Sequence, residues 1–292
     1  MEKTASHWNR LENGVIKCTL CPRRCSIAEG KRGACFGRRR IGDELIAETY
    51  GFACGLAIDP IEKKPLHHFL PGSSVLSFGT VGCNLTCGFC QNFHLSHAES
   101  VEGTQISPEE IAEAAIRHTC AGVAFTYNEP TVFFEYAVDT ARACHERGLK
   151  TVAVTNGWIE PEPRKELYAH IDAANVDLKA FTDTFYNELC GATLQPVLDT
   201  LLYIRNETDV HLEVTTLLIP GRNDSPAEID AMTQWAVANL GPDVPWHFSA
   251  YRPTREWSEA PPTPLETILQ AESIARNNGM KHIHLGNIGI AR

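Results

Sequence analysis

Short apolar runs recur from about residue 74 onward, at 75–78, 122–125, 151–155, 174–178, 211–218, 246–250 and 282–285, with helix-patterned stretches between them. Brief apolar runs bounded by turn residues read as strands covered on both faces, and their alternation with helices predicts repeated βα units on a parallel sheet. The helix starts support this. Ser107-Pro108-Glu109-Glu110, Ser225-Pro226-Ala227-Glu228 and Thr263-Pro264-Leu265-Glu266 each offer an N-cap hydroxyl, proline at the first helical position and glutamate at N3. Those groups satisfy amides that a helix start leaves unpaired. Units of roughly 25 to 45 residues suit either an open doubly wound sheet or a full or partial (β/α) barrel.

Residues 1–58 break the alternation. They hold four cysteines and the run Arg38-Arg39-Arg40, and read as a small cysteine-rich, metal-pinned segment ahead of a βα core over 59–292. A segment this short rarely holds a fold without a staple.

Composition narrows the function classes. With 292 residues, 43% hydrophobic and 21% charged, the chain can bury a sizeable core and is neither fibrous nor disordered. Its net charge of −10 is the wrong sign for coating phosphate backbones, so no nucleic-acid partner is expected. The sequence contains neither an apolar leader nor a run of 18 apolar residues, so a cytoplasmic protein with no membrane partner is expected. Against the acidic whole, Arg23, Arg24, Lys31, Arg32 and Arg38 to Arg40 make the first segment basic. That is either a solvated face or a docking surface for an acidic electron donor or protein substrate.

Eleven cysteines change the picture more than the charge does. In a reducing compartment, closely spaced thiols read as metal ligands rather than disulfides. Cys83-x3-Cys87-x2-Cys90 follows the first predicted core strand through Gly79 to Gly82, so three thiols converge at a strand's carboxyl end, where parallel sheets place their sites. Three thiolates around a four-iron cubane leave one iron open to a ligand; zinc would need a fourth group such as His94 or His97. Cys18-x2-Cys21-x3-Cys25-x9-Cys35 supplies four thiolates, enough for closed tetrahedral zinc or for a fully ligated 4Fe-4S cluster. Cys54, Cys120, Cys144 and Cys190 carry no assigned role.

Later strand ends add polar candidates: Asn128 and Glu129, then Asn156, then Asp177 and Lys179, then His247. Asp177 and Lys179 lie two residues apart on one strand face, which suits a bound zwitterion or a mutual ion pair. His247 reads equally as a packed strand residue, as do His282 and His284.

The spacing Cys83-x3-Cys87-x-Phe89-Cys90 after a strand resembles the signature of radical S-adenosylmethionine (SAM) enzymes. The stretch Asp59-Pro-Ile-Glu-Lys-Lys-Pro-Leu-His-His-Phe-Leu-Pro-Gly72, with Gly79-Thr80-Val81-Gly82 and Gln91-Asn92, looks like the pyruvate formate-lyase activating enzyme-like branch of AmmeMemoRadiSam systems. The likeness runs from about residue 18 to 290.

The resemblance implies a partial or near-complete (β/α) barrel. It also implies a 4Fe-4S cluster on Cys83, Cys87 and Cys90, and S-adenosylmethionine cleaved reductively to a 5′-deoxyadenosyl radical that abstracts hydrogen. Phe89 would lie by the adenine, Asn128 and Glu129 by the amino group, Lys179 by the carboxylate and Asp177 by the sulfonium or ribose. Asn156 and His247 would also border the cofactor, and Arg222 would be a candidate for a substrate carboxylate. Implied partners are an electron donor such as flavodoxin or ferredoxin, and a protein substrate of the glycyl-radical type; another protein residue or a small molecule is the alternative. No catalytic side chain is singled out.

Overall fold

The computed structural model describes residues 3–12 and 14–288. In the first segment, β1 (Trp8–Arg10), β2 (Ile16–Cys18) and β3 (Ser26–Ile27) form an antiparallel sheet, and β4 (Arg38–Ile41) pairs with β5 (Glu44–Ala47). The chain then enters a nine-stranded sheet. β6 (Phe52–Pro60) runs antiparallel to β7 (Ser74–Gly79) and to the short β8 (Thr104–Gln105). From β7 the sheet continues in parallel through β9 (Gly122–Phe125), β10 (Lys150–Thr155), β11 (Ala173–Asp177), β12 (His211–Leu218), β13 (Trp246–Ala250) and β14 (Ile283–Gly286).

The connecting helices are α1 (Phe93–Ser96), α2 (Pro108–Arg117), α3 (Phe134–His145), α4 (Pro161–Tyr168), α5 (Asp183–Phe185), α6 (Gln195–Glu207), α7 (Pro226–Asn239) and α8 (Leu265–Asn277). A single π-type turn, Tyr186–Cys190, extends α5.

The sheet is curved into a partial barrel. The link between β6 and β7, at one edge, carries backbone N–H groups of His67 and His68 that donate to Glu213 on β12, at 3.1 and 2.7 Å. The His68 ring reaches His284 on β14, at the far edge, at 2.9 Å. A flat sheet could not bring both edges to one link.

Strand alternation explains how the interior fills. Val75, Ala124, Val152 and Ala173 point inward from four neighbouring strands, and Ile61 and Leu66 of the link plug the space between them, all at most 1% exposed. Outward-facing residues such as Phe78, Phe125 and Val176 belong to the larger core that the helices cover.

All seven expected core strands are present, with ends within one residue of the apolar runs. Each end falls where the apolar run gives way to polar or turn residues, or lies within one residue of that point. β6 had no such mark. It spans 58–59, where the first segment was expected to end, and pairs with the core. A register irregularity between Cys54 and Ala57, Gly55 at φ +67° and exposed Leu56 and Ile58 disrupt its alternation.

The capping boxes are realised unequally. Ser107 and Glu110 form the full reciprocal box, whereas Ser225 caps Glu228 N–H while the Glu228 carboxylate accepts from Phe181 N–H. Thr263 does not cap: its hydroxyl accepts from Tyr251 N–H and donates to the Leu218 carbonyl, tying two strand ends together.

Candidate active site

At the carboxyl end of β7 the chain turns sharply through Gly79 to Gly82. A Cβ on Gly79 would lie 2.3 Å from the Thr126 carbonyl oxygen, so only glycine allows β7 and β9 to close here. Asn128 clamps the turn. Its Oδ1 accepts from Thr80 N–H at 3.0 Å, and its Nδ2 donates to Thr80 Oγ1 and the Gly82 carbonyl at 3.1 and 2.9 Å. With its amide so engaged, Asn128 shapes the cysteine loop rather than facing a ligand. Tyr127 beside it sits at φ +69°, a strained setting for a bulky residue, held by its hydroxyl donating to Asp59 at 2.8 Å.

The loop delivers Cys83, Cys87 and Cys90 to the wall of one cavity of about 270 Å³. Leu85 N–H donates to Cys83 Sγ at 3.4 Å and Ser96 Oγ donates to Cys90 Sγ at 3.2 Å. Burial pushes the Cys83 and Cys90 thiols up, and neighbouring thiols add to it. Cys87 is raised first by contact with Cys190 and then by burial. Cys87 is buried and Cys83 and Cys90 are half-buried, and thiols that resist ionisation in this way become thiolates when a cation lies beside them. Cys190 is the thiol that sequence spacing missed: it lies a hundred residues away in the chain and arrives beside Cys87 through the π turn.

The expected polar residues are brought together unequally. Phe89, Asn128, Glu129, Asn156, Asp177 and Lys179 all border this cavity. Glu129 is 1% exposed, and its carboxylate accepts from Thr131 N–H and Oγ1, Thr155 Oγ1 and Asn156 N–H at 2.7 to 3.0 Å. Burial raises its pKa despite those donors. It therefore fastens β9 to β10. Asn156 donates to Asn84 Oδ1 at 2.9 Å and approaches Cys83 Sγ at 3.9 Å. Lys179 Nζ pairs with Asp177 at 3.0 Å; burial opposes its charge, but Asp177 outweighs it and holds the ammonium charged. Phe89 packs between Phe185 and Trp257, with ring centroids 5.7 and 5.9 Å away.

His247 lies elsewhere. It faces the barrel interior one layer below the cavity, with Nε2 2.6 Å from Glu213 and its ring stacked on His284. The next inward residue on β13, Ser249, takes the place at the cavity wall. Thr215 and Leu217 of β12 and Asn287 also border the cavity and were missed; the signal was the inward alternation of the strand. Thr215 Oγ1 is buried with no partner, a polar atom that a bound ligand would satisfy. His97 borders the cavity too, but its Nδ1 is engaged by Ser96 at 2.9 Å.

The first segment sits directly on this loop. Gly82 is at φ +90°, and a Cβ there would lie 2.0 Å from the Cys35 carbonyl oxygen. Arg23 donates to the Asn84 and Gly191 carbonyls, each at 2.8 Å. Cys18, Cys21, Cys25 and Cys35 border a second, much smaller cavity together with Leu20, Ile27 and Asn84. Most of the basic residues of this segment are paired within the chain, and only Arg38 is buried. Arg24 pairs with Glu160, Arg32 and Arg39 with Glu48, Arg40 with Glu29, and buried Arg38 with Glu135. Among the described residues no three His, Cys, Asp or Glu side chains are gathered so as to hold a single metal ion. Among them also, no helix is long and apolar enough to cross a membrane.

Comparison with known proteins places these features. The Radical SAM superfamily profile matches residues 78–233. An uncharacterized protein of Methanocaldococcus jannaschii is 41% identical over 288 residues, 98% of this chain and 85% of that protein. The benzylsuccinate synthase activating enzyme of Thauera aromatica is 25% identical over 265 residues, 82% of this chain and 78% of the enzyme. The pyruvate formate-lyase 1-activating enzyme of Escherichia coli is 26% identical over 162 residues, 53% of this chain and 64% of the enzyme. Two solved structures share the fold. A radical SAM methyltransferase from Sphaerobacter thermophilus has a TM-score of 0.61 at 15% identity, covering 98% of this chain and 77% of its own. Streptococcus suis SuiB bound to S-adenosylmethionine has a TM-score of 0.57 at 17% identity, covering 73% of this chain and 49% of its own.

Proposed function

Because this chain belongs to the radical SAM superfamily, we propose that it is a radical SAM oxidoreductase whose Cys83, Cys87 and Cys90 hold a 4Fe-4S cluster beside a site for S-adenosylmethionine. The observation that carries this is the convergence of three thiols, and no fourth from their own loop, on a cavity that also holds a charged pair and an unpartnered hydroxyl. A cluster held there would supply one electron to the cofactor sulfonium, whose bond to the 5′ carbon would break to release methionine and leave a 5′-deoxyadenosyl radical able to take hydrogen from a substrate.

The chain's own residues have separable tasks. Ser96 and Leu85 N–H support the thiolates, as outer donors do around metal sites. Lys179 and Asp177 present opposite charges that fit the carboxylate and cationic ends of an amino acid. Phe89, backed by Phe185 and Trp257, gives the cavity an aromatic face that keeps water from a reactive intermediate. Glu129, Asn128 and Asn156 hold the strand ends in register around the loop.

The substrate we propose is a glycine of a partner protein, with electrons from a flavodoxin or ferredoxin. Its support is the similarity to two activating enzymes, at about a quarter identity. The test is anaerobic iron and sulfide quantitation, electron paramagnetic resonance (EPR), and assay of 5′-deoxyadenosine under dithionite. A cluster lost in Cys83→Ala, with loss of 5′-deoxyadenosine, is expected; full cluster content and turnover in that variant would overturn the reading. A glycyl-radical signal on mixing with a candidate partner is the result expected for the substrate. Hydrogen abstraction from another residue or a small molecule would replace that part alone.

A further inference from the structure

We propose that His97 is a positioning residue of the thiol site: its ring fixes the Ser96 hydroxyl so that the one proton of that hydroxyl is donated to Cys90 Sγ. The hydrogen-bond chain stands on its own geometry; its effect on a cluster rests on the function proposed above.

A hydroxyl has a single proton to give. Ser96 Oγ has four acceptors within reach: Cys90 Sγ at 3.2 Å, the Asn92 and Phe93 carbonyls each at 3.3 Å, and His97 Nδ1 at 2.9 Å. Which of them receives the proton decides whether Cys90 has an outer donor. The Asn92 carbonyl already accepts Leu95 N–H and Ser96 N–H, both at 3.0 Å, which fills its two lone pairs. The Phe93 carbonyl accepts His97 N–H at 2.9 Å and lies within hydrogen-bond reach of the His97 ring as well. The choice is therefore between the ring nitrogen and the sulfur.

The ring settles it by where it carries its own proton. Burial lowers the His97 pKa, so the imidazole is neutral near pH 7 and has one N–H. The Phe93 carbonyl can only accept, so a proton on Nδ1 serves both it and Ser96 Oγ, whereas a bare Nδ1 would compete with Cys90 for the serine proton. With Nδ1 as donor, the chain runs from His97 N–H to Ser96 O–H to Cys90 Sγ, each donor polarising the next. Stacking on Phe93, with ring centroids 4.0 Å apart and planes 9° apart, holds the imidazole in this plane. Nε2 is then the bare nitrogen, and no hydrogen bond from a described residue reaches it. An outer donor to a thiolate favours the more negative, reduced state of an iron–sulfur cluster, so His97 would act on that state through Ser96.

The test uses the full chain, isolated anaerobically, and its first arm needs no cluster. With histidine nitrogens labelled for NMR, the His97 signals are those missing from His97→Asn, and they should show the proton on Nδ1 and a bare Nε2. A proton on Nε2 would overturn the proposal, because Nδ1 would then take the serine proton away from Cys90. The second arm reads, by EPR and without cofactor or substrate, the ratio of reduced to oxidised cluster at one poised potential. Ser96→Ala should lower that ratio about tenfold, and His97→Phe, which keeps the stacking but has no ring N–H, about threefold. His97→Asn, whose amide N–H can stand in for Nδ1–H, should restore the parent ratio at unchanged iron content. Equal ratios in the Phe and Asn variants would overturn the proposal, since a ring that only fills space predicts that. If His97→Phe fails to fold, the labelled parent and His97→Asn decide: Nδ1–H with a parent-like ratio supports the proposal, and a lowered ratio in His97→Asn overturns it. Failure of the function proposed above is distinguishable, because the parent itself would then hold no iron while the site of the His97 proton would still be read.

Discussion

Ser96 shows how much of this site depends on single side chains beyond the ligands. Its hydroxyl donates to Cys90 Sγ at 3.2 Å while holding the His97 ring, and no spacing rule marks a serine six residues after a cysteine. Ser96→Ala removes that donor and leaves the three thiols intact. We expect cluster retention or 5′-deoxyadenosine turnover to fall about 10- to 100-fold, the usual cost of an outer donor at a metal site, read by iron content and product assay. Glu129 teaches a related lesson. Position at a strand end suggested a cofactor ligand, but four neighbouring donors already use its two oxygens. Residue type and place in the chain identify which groups reach a cavity; whether such a group is free depends on neighbours from other strands, which the linear sequence does not display.

At the scale of elements, the link between β6 and β7 is a floor built from polar as well as apolar parts. Glu213, fully buried, receives two backbone N–H groups and the rings of His211 and His247. Burial alone would raise its pKa, but those four partners hold it well below the usual carboxylate range. Burial lowers His67, His68 and His284, and neighbouring histidines help bring His284 to about 4. The unfolded chain would protonate these rings below about pH 6.5, while the folded chain resists, so unfolding takes up protons as pH falls. The melting temperature should decline from pH 6.5 toward 4.5, with Glu213 extending the decline at lower pH. His284→Gln should flatten the upper part of that profile, and a level profile in the parent chain would contradict this account.

The cysteine loop gives a second element-scale prediction. Gly82→Ala forces a side chain into φ +90° and onto the Cys35 carbonyl. It should cost about 1–3 kcal/mol from the backbone alone, and the clash adds to it, read by denaturant unfolding. Elements were legible where one force decided them. The parallel strands from β7 to β13 are largely buried and rich in apolar residues, which marks them in the sequence; β6, bulged and half-exposed, carries no such mark. Thr263 looked like an N-cap because its neighbours in sequence fit one, and two strand ends in space claimed its hydroxyl instead.

At the scale of the whole molecule, the first segment is held to the core by buried charge as well as by backbone contact. Arg38 pairs with Glu135 of α3 at 2.5 Å, with the two side chains 1% and 5% exposed. Arg38→Met would strand the carboxylate and should cost about 3–5 kcal/mol, seen as faster hydrogen exchange across β1 to β5. These tethers span long stretches of chain: 97 residues from Arg38 to Glu135 and 168 from Arg23 to Gly191. A ribosome adding about 5 to 20 residues per second makes the first four cysteines roughly ten to thirty seconds before Gly191 exists to receive Arg23. During that interval the nascent thiols have no core to rest on and stand open to oxidants. These thiols therefore wait for partners made much later, and their survival depends on how reducing the surroundings are while translation proceeds.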